Sequence, residues 1–369
     1  MREFLSTFLQ GNPASSEQDR APERLVRVGC PAHNCGGRCL LVAHVREEPD
    51  GRHIITRLDA DDRPDTLAAP QLRACVRGRA TLRRQYPPDR LKHPLKRVGE
   101  RGEGRFERIS WAEALDTVAG ELQRVRETYG NSALFVPYGT GSYNQMGGKW
   151  SADRLMAMYG GALGYYNSYS WACITRATKT VYGTDVTGNQ RQDWLNSDYI
   201  LMWGWNPAEM RDGTDSEYFL KEARKKGARI VCIDPRMTMS AVALADEWIA
   251  VRPGTDVAMM SAMAYVMITE HLCDRDFIDR CCVGFDQGQM PAPHSNEESY
   301  KDYILGVRDG QPKTPEWAEK ITTVPRDDII RIAREYATAR SAVLYQGYGM
   351  QRRAYGEQVV RAGCTLAAI

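Results

Sequence analysis

Four cysteines constrain this chain more than any other feature. Cys30, Cys35 and Cys39 fall within ten residues, and Cys75 follows in Cys75-Val-Arg-Gly-Arg79, giving C-x4-C-x3-C-x35-C. Thiolates from one short loop and one distant return strand can enclose a single metal centre. The spacing suits an iron–sulfur cluster better than a zinc ribbon, which pairs two close C-x2-4-C knuckles. Zinc stays open, because tetrahedral thiolate sites serve both ions. A disulfide framework is not implied by the ten cysteines, since the chain is long and shows no secretory apolar core.

The 369 residues suffice for two or three domains. With 43% hydrophobic and 26% charged residues there is ample material for a buried core. A net charge of +2 gives no global attraction to nucleic acid or an anionic membrane. No apolar run approaches the length of a membrane span. The segment from Met1 to Pro22 shows neither a signal-peptide core nor a twin-arginine pair, so no export signal is visible; the sequence alone reads as cytoplasmic, and the periplasmic face of a membrane stays open. At the other end, Gly356 to Ile369 reads as a helix still running where the chain stops. The expectation is a chain whose remaining part is missing or is a separate polypeptide.

Leu41–Val45 and His53–Arg57 read as strands around the cysteines. The stretch Arg73–Arg97 is very basic, and either forms a solvated loop or faces an anionic cofactor. Ser110 with Glu113 forms a capping box for a helix whose apolar face is Trp111, Leu115, Val118, Leu122 and Val125, ended by Gly130. A strand at Ala133–Tyr138 and a turn at Gly139-Thr-Gly141 follow. A second α/β unit runs through strand Tyr199–Trp203, helix Glu217–Lys226, strand Arg229–Ile233 ending at Asp234-Pro-Arg236, strand Trp248–Val251 and a long apolar helix from Asp256. Such alternation implies a parallel sheet with right-handed crossovers, and nucleotides bind at the carboxyl ends of its strands. Asp234 there is either a ligand acceptor or a helix cap. The G-x-G-x-x-G fingerprint is absent after these strands, which argues against a standard NAD site and a zinc-stabilised dehydrogenase. Residues 284–325 read as a surface insertion, before helix Arg326–Thr338, strand Ala342–Gln346 and the loop Gly347-Tyr-Gly-Met-Gln351.

In collinear order the chain carries Cys35-Gly-Gly-Arg-Cys39, Arg73-Ala-Cys-Val-Arg-Gly-Arg79, Pro88-Asp-Arg-Leu-Lys92, Gly102-Glu-Gly-Arg-Phe-Glu-Arg-Ile-Ser-Trp111, Ile233-Asp-Pro-Arg236, Arg252-Pro-Gly-Thr-Asp256 and Thr314-Pro-Glu-Trp317. On these segments it resembles the dimethyl sulfoxide reductase-like branch of the molybdopterin oxidoreductase family, from about Arg24 to Arg361. The resemblance implies an α/β fold: an iron–sulfur domain of short strands at 24–90, a first α/β domain at 91–180, a Rossmann-like dinucleotide-cofactor domain at 181–340, and at 341–369 the start of a further segment. The carboxyl-terminal pterin-binding part is expected to be missing.

By that resemblance Cys30, Cys35, Cys39 and Cys75 hold a [4Fe–4S] cluster, and Arg77 stands between cluster and pterin. Ser170, in Tyr166-Asn-Ser-Tyr-Ser170, aligns with the serine that binds molybdenum, with Cys173 as a rival and Ser168 as a third choice. If the segment is helical, Ser170 and Cys173 share one face. The implied cofactor is a molybdenum bis(molybdopterin guanine dinucleotide). Asn206, Asp234, Arg236, Gly254 and Asp256 serve its guanine and phosphate ends, with Gly347, Gly349 and Gln351 nearby. The implied activity removes oxygen from an S-oxide or N-oxide, with a selenate-type oxyanion reductase as an alternative. The implied partners are a ferredoxin-like iron–sulfur subunit and a membrane anchor. A non-catalytic electron-transfer remnant is the reading of a different class. Four residues separate Cys30 from Cys35 where the relatives have three, which departs from the pattern.

Overall fold

A computed structural model of the chain describes residues 23–31, 35, 37–137, 148–210 and 213–369. The chain divides into two units, Met1–Gly164 and Tyr165–Ile369.

In the first unit, alternating apolar residues produce a three-stranded antiparallel sheet in the order β1 (Arg24–Gly29), β2 (Leu40–Glu47), β3 (His53–Ala60). Period-two alternation turns Leu41 and Ala43 of β2 to one face, where Leu58 of β3 joins them in a small core flanked by Val28, Cys30, Ala74 and Leu82. A short hairpin pairs β4 (Leu95–Arg97) with β5 (Phe106–Arg108). The helix Trp111–Tyr129 begins where expected, with Ser110 Oγ accepting from Glu113 N at 3.0 Å. Its apolar face is not buried, since Trp111 is 66% and Leu115 63% exposed. The strand expected at Ala133–Tyr138 is not one. Ala133 ends a 3-10 turn, Phe135 makes a single parallel bridge to Leu163, and Tyr138 and Gly139-Thr-Gly141 lie outside the described residues.

The second unit is built on a parallel sheet in the order β8 (Glu247–Ile249), β7 (Arg229–Ile233), β6 (Tyr199–Trp203), β9 (Ala342–Gln346). Both faces of the sheet are covered, so its strands are runs of apolar residues. One face turns Tyr199, Leu201, Trp203, Val231 and Ile233 toward the helices Asp256–Thr269, Arg326–Thr338 and Glu357–Ala368. The other turns Ile200, Met202, Ile230 and Cys232 toward Trp194, Trp205 and the helix Ser216–Lys225. The helix Asp256–Thr269 is apolar nearly all round and lies in the core, as such helices must. Residues 284–325 are not a surface insertion. Phe285, Ile304, Ala318 and Val324 enter the main core, and the helices Tyr300–Leu305 and Pro315–Thr322 carry two of them.

The amino ends of the strands are tied by charge. Tyr199 Oη donates to Glu335 at 2.8 Å, Arg229 joins Glu335 and Glu247, and Arg331 reaches Glu247, Asp328 and Glu335. Burial pushes the Glu335 carboxyl up, but the bonds from Tyr199 and Arg331 outweigh it and hold Glu335 below its usual range.

The carboxyl ends diverge. From β6 the chain turns to β7 on one side, whereas β9 arrives on the other, so β6 and β9 flank the topological switch point. The approach there is close. Gly347 N donates to Trp203 O at 2.8 Å, and a Cβ on Gly347 would lie 1.9 Å from Gly204 O. Gly204 itself has φ +57°. Gly347→Ala is expected to lower unfolding free energy by about 3 kcal/mol, because backbone stands in the way. Gly349→Ala, with nothing within 4 Å of its Cβ position, is expected to shift it by less than about 1 kcal/mol. Denaturant titration of both variants checks the pair.

Candidate functional site

The cysteines of the first unit gather at one end of its sheet. Cys30 N donates to Cys39 O at 2.8 Å as β1 leaves the sheet and β2 enters it. Leu40 N donates to Leu72 O at 2.9 Å, and Leu40 bridges Arg73, which brings the Cys75 segment alongside. Cys75 does not lie on a return strand. It precedes the short helix Val76–Arg79, and a Cβ on Gly78 in that helix would lie 2.9 Å from Cys30 Sγ. Only a glycine leaves that sulfur its room. Gly37 N donates to Cys35 Sγ at 3.4 Å. Cys39 is buried, and Cys30, Cys35 and Cys75 are partly buried. Among the described residues no three Cys, His, Asp or Glu side chains converge on one point. The backbone nevertheless brings the segments of Cys30, Cys39 and Cys75 together, and sulfur is the donor each carries.

Asp61 fastens this end. It is 5% exposed and accepts from Leu72 N at 2.9 Å, from Arg63 N at 3.2 Å and from the Arg63 guanidinium. The Arg63 bonds, against the cost of burial and aided by the Leu72 amide, hold its carboxyl far below the usual range. Arg77 is exposed on the helix after Cys75. Much of the basic stretch lies at the surface, with Arg73 paired to Asp65 at 3.0 Å and Lys96 to Glu113 at 3.2 Å, which favours the solvated-loop reading.

In the second unit, Ser170 lies in the turn before the helix Ala172–Tyr182, so it is not helical, while Cys173 is in that helix's first turn. The turn is shaped from within. Asn167 adopts φ 57° and its Oδ1 accepts from Ser168 N at 2.8 Å, while Ser168 O accepts from Ala172 N at 2.9 Å. The helix packs on Glu357–Ala368. The loop after β9 meets this turn: Gln351 Nε2 donates to Ser170 O at 2.8 Å. Ser168 Oγ and Gln351 Oε1 are buried without a hydrogen-bond partner among the described residues. Buried polar atoms are seldom left so, and each of the two calls for a partner.

The carboxyl ends of β6 and β7 carry the expected nucleotide residues in one network. Asn206 Oδ1 accepts from Ser240 Oγ at 2.6 Å, Arg236 donates to Glu209 at 3.1 Å, and Asp234 Oδ1 accepts from Arg236 N at 3.0 Å. Burial pushes the Asp234 carboxyl up, and the nearby Asp256 and Glu209 add to this while Arg236 opposes it. Asp256 is buried, and its Oδ1 accepts from Trp203 Nε1 at 3.0 Å. That oxygen is committed inside the unit. Gly254 lies at the amino end of the helix Asp256–Thr269, with the Arg353 guanidinium packed over it. A helix amino end without a side-chain cap, beside a guanidinium, suits a phosphate. Sequence reasoning missed Arg353, Ser240 and Glu209. Nothing short of the folded loops sets them beside Gly254 and Asn206.

A family model described as Molybdopterin oxidoreductase matches residues 90–369. The chain is 45% identical over 359 residues to dimethyl sulfoxide reductase DmsA of Escherichia coli (strain K12), covering 95% of this chain and 44% of that protein. It is 33% identical over 308 residues to a trimethylamine-N-oxide reductase of Haemophilus influenzae, covering 77% of this chain and 36% of that protein. Among solved structures, acetylene hydratase from Pelobacter acetylenicus superposes with a TM-score of 0.65 at 25% identity, over 91% of this chain and 43% of the other. The chain spans less than half the length of these relatives.

A carboxyl held low in the folded state contributes stability above the unfolded range of about 4 and loses it as pH falls toward the folded value. Asp61→Ala is expected to cost about 2 kcal/mol at neutral pH by stranding the Leu72 and Arg63 amides. It is also expected to flatten the loss of stability below about pH 4. Urea midpoints across pH check both.

Proposed function

Because the chain belongs to the molybdopterin oxidoreductase family, we propose that it forms part of a molybdenum enzyme that reduces an S-oxide or N-oxide. Similarity to reductases of both substrate kinds supports the substrate class. One structural observation carries the reading furthest: the Ser170 turn is joined to the β9 loop, and the two segments leave two buried polar atoms without partners. That loop leaves the carboxyl end of β9, at the switch point between β6 and β9, where ligands of doubly wound sheets bind.

When bound, the bis(molybdopterin guanine dinucleotide) molybdenum supplies the two-electron oxygen-transfer chemistry, and a [4Fe–4S] cluster the one-electron relay. The net reaction consumes two electrons and two protons per oxygen removed and releases water. Ser170 anchors the metal through a hard oxygen donor, in preference to Cys173. Cys30, Cys35, Cys39 and Cys75 hold the cluster, and Arg77 places a fixed positive charge beside it. Asp234 and Asn206 accept donors of the guanine or ribose end, aided by Arg236. A donor bound there would offset the burial that raises the Asp234 carboxyl. Gly254 and the amino end beside Asp256 receive phosphate oxygens, with Arg353 supplying charge. Gly347, Gly349 and Gln351 line the pterin side. A relay that passes single electrons needs a donor, for which a ferredoxin-like multi-cluster subunit is the fitting partner, with a membrane anchor behind it. Among the described residues no helix is long and apolar enough to cross a membrane.

Ser170→Ala in the holoenzyme is expected to lower S-oxide and N-oxide reduction at least about 100-fold while iron content is unchanged. A fully active variant would overturn the assignment of Ser170. Steady-state assay beside metal analysis decides it.

A further inference from the structure

Gln351 is 1% exposed in the 3-10 turn that follows β9. Its Nε2 donates to two carbonyls, Ser170 O at 2.8 Å and Tyr348 O at 3.1 Å. Two acceptors on one side fix the amide, since a flip would set Oε1 against both carbonyls. Oε1 therefore faces away from them, buried and without a partner among the described residues. Gly356 packs closely on the main chain of Gln351, where a Cβ would lie 1.9 Å from Gln351 O. The residue is thus a brace whose donor end is spent on two carbonyls and whose acceptor end is buried without a partner among the described residues.

What the brace holds is the Ser170 peptide. Asn167 and the Ser168 carbonyl shape the turn from within, and Gln351 grips the Ser170 carbonyl from 181 residues away in sequence. A side chain's direction follows from the orientation of its own peptide. Fixing the carbonyl therefore fixes the backbone frame from which the Ser170 hydroxyl is delivered, with χ1 the one torsion left to set.

We propose that Gln351 is a positioning residue for Ser170, setting the geometry of its oxygen through the amide-to-carbonyl bond. The inference rests on the reading of Ser170 as the metal-binding serine. A glutamate at this position would place carboxylate oxygen against two carbonyls. A methionine would keep the length and remove both polar ends.

The test compares Gln351→Glu, Gln351→Met and Ser170→Ala in the holoenzyme. It reads molybdenum content, the Mo(V) electron paramagnetic resonance spectrum, kcat, KM and thermal melting. Both Gln351 variants are expected to retain molybdenum, to show shifted g-values, and to lose about 10- to 100-fold in kcat with KM nearly unchanged. If Gln351→Glu does not fold, Gln351→Met carries the comparison. A spectrum altered by Ser170→Ala but unaltered by the Gln351 variants overturns this inference and leaves the serine assignment standing. A spectrum unaltered by Ser170→Ala overturns the serine assignment and this inference with it.

Discussion

The second unit depends on one close backbone approach, that of Gly347 to Gly204 at the carboxyl ends of β9 and β6. Because Gly347 carries no Cβ to meet Gly204 O, Gly347 N reaches Trp203 O, and the loop after β9 leaves the sheet directly beside the turn after β6. That approach sets the origin of the Gly349–Gln351 turn. It thereby allows Gln351 to reach the carbonyl of Ser170. A side chain at Gly347 would part the strands and move the brace with them.

Around this point the unit separates two kinds of buried polar group. Some are satisfied internally: Asp256 holds the indole of Trp203, and Asn206 accepts from Ser240. Others are left open, namely Ser168 Oγ and Gln351 Oε1. An unmade hydrogen bond in a buried place costs about 1–3 kcal/mol, so a fold tolerates it where a ligand will repay it. The first unit follows a similar logic with Asp61, whose buried carboxylate gathers the amides that lead to Cys75.

The bounds of β6, β7 and β9 were legible because short apolar runs bracketed by Gly, Pro and Asp have few other readings. The Ser110 cap was legible for the same local reason. Residues 284–325 were misread as surface because their core residues, such as Ile304 and Val324, stand singly among polar neighbours. Their burial is decided by where the chain returns, which no local pattern encodes. The strand expected at Ala133–Tyr138 failed because β propensity needs a partner strand, and Phe135 finds a single bridge. At the site, Ser170, Asp234 and Gln351 were singled out through family resemblance, and their roles are proposals. The Ser170–Gln351 bond and the guanidinium over Gly254 were not, since both join distant segments.

The central claim is that these residues belong to a molybdenum site fed through a four-cysteine cluster. Iron, molybdenum, tungsten and zinc content of the anaerobically purified protein, read by plasma mass spectrometry, tests it most directly. The account predicts about four irons and about one molybdenum per chain. Zinc alone would contradict the cluster, and iron without molybdenum or tungsten would contradict the catalytic site and leave an electron-transfer module.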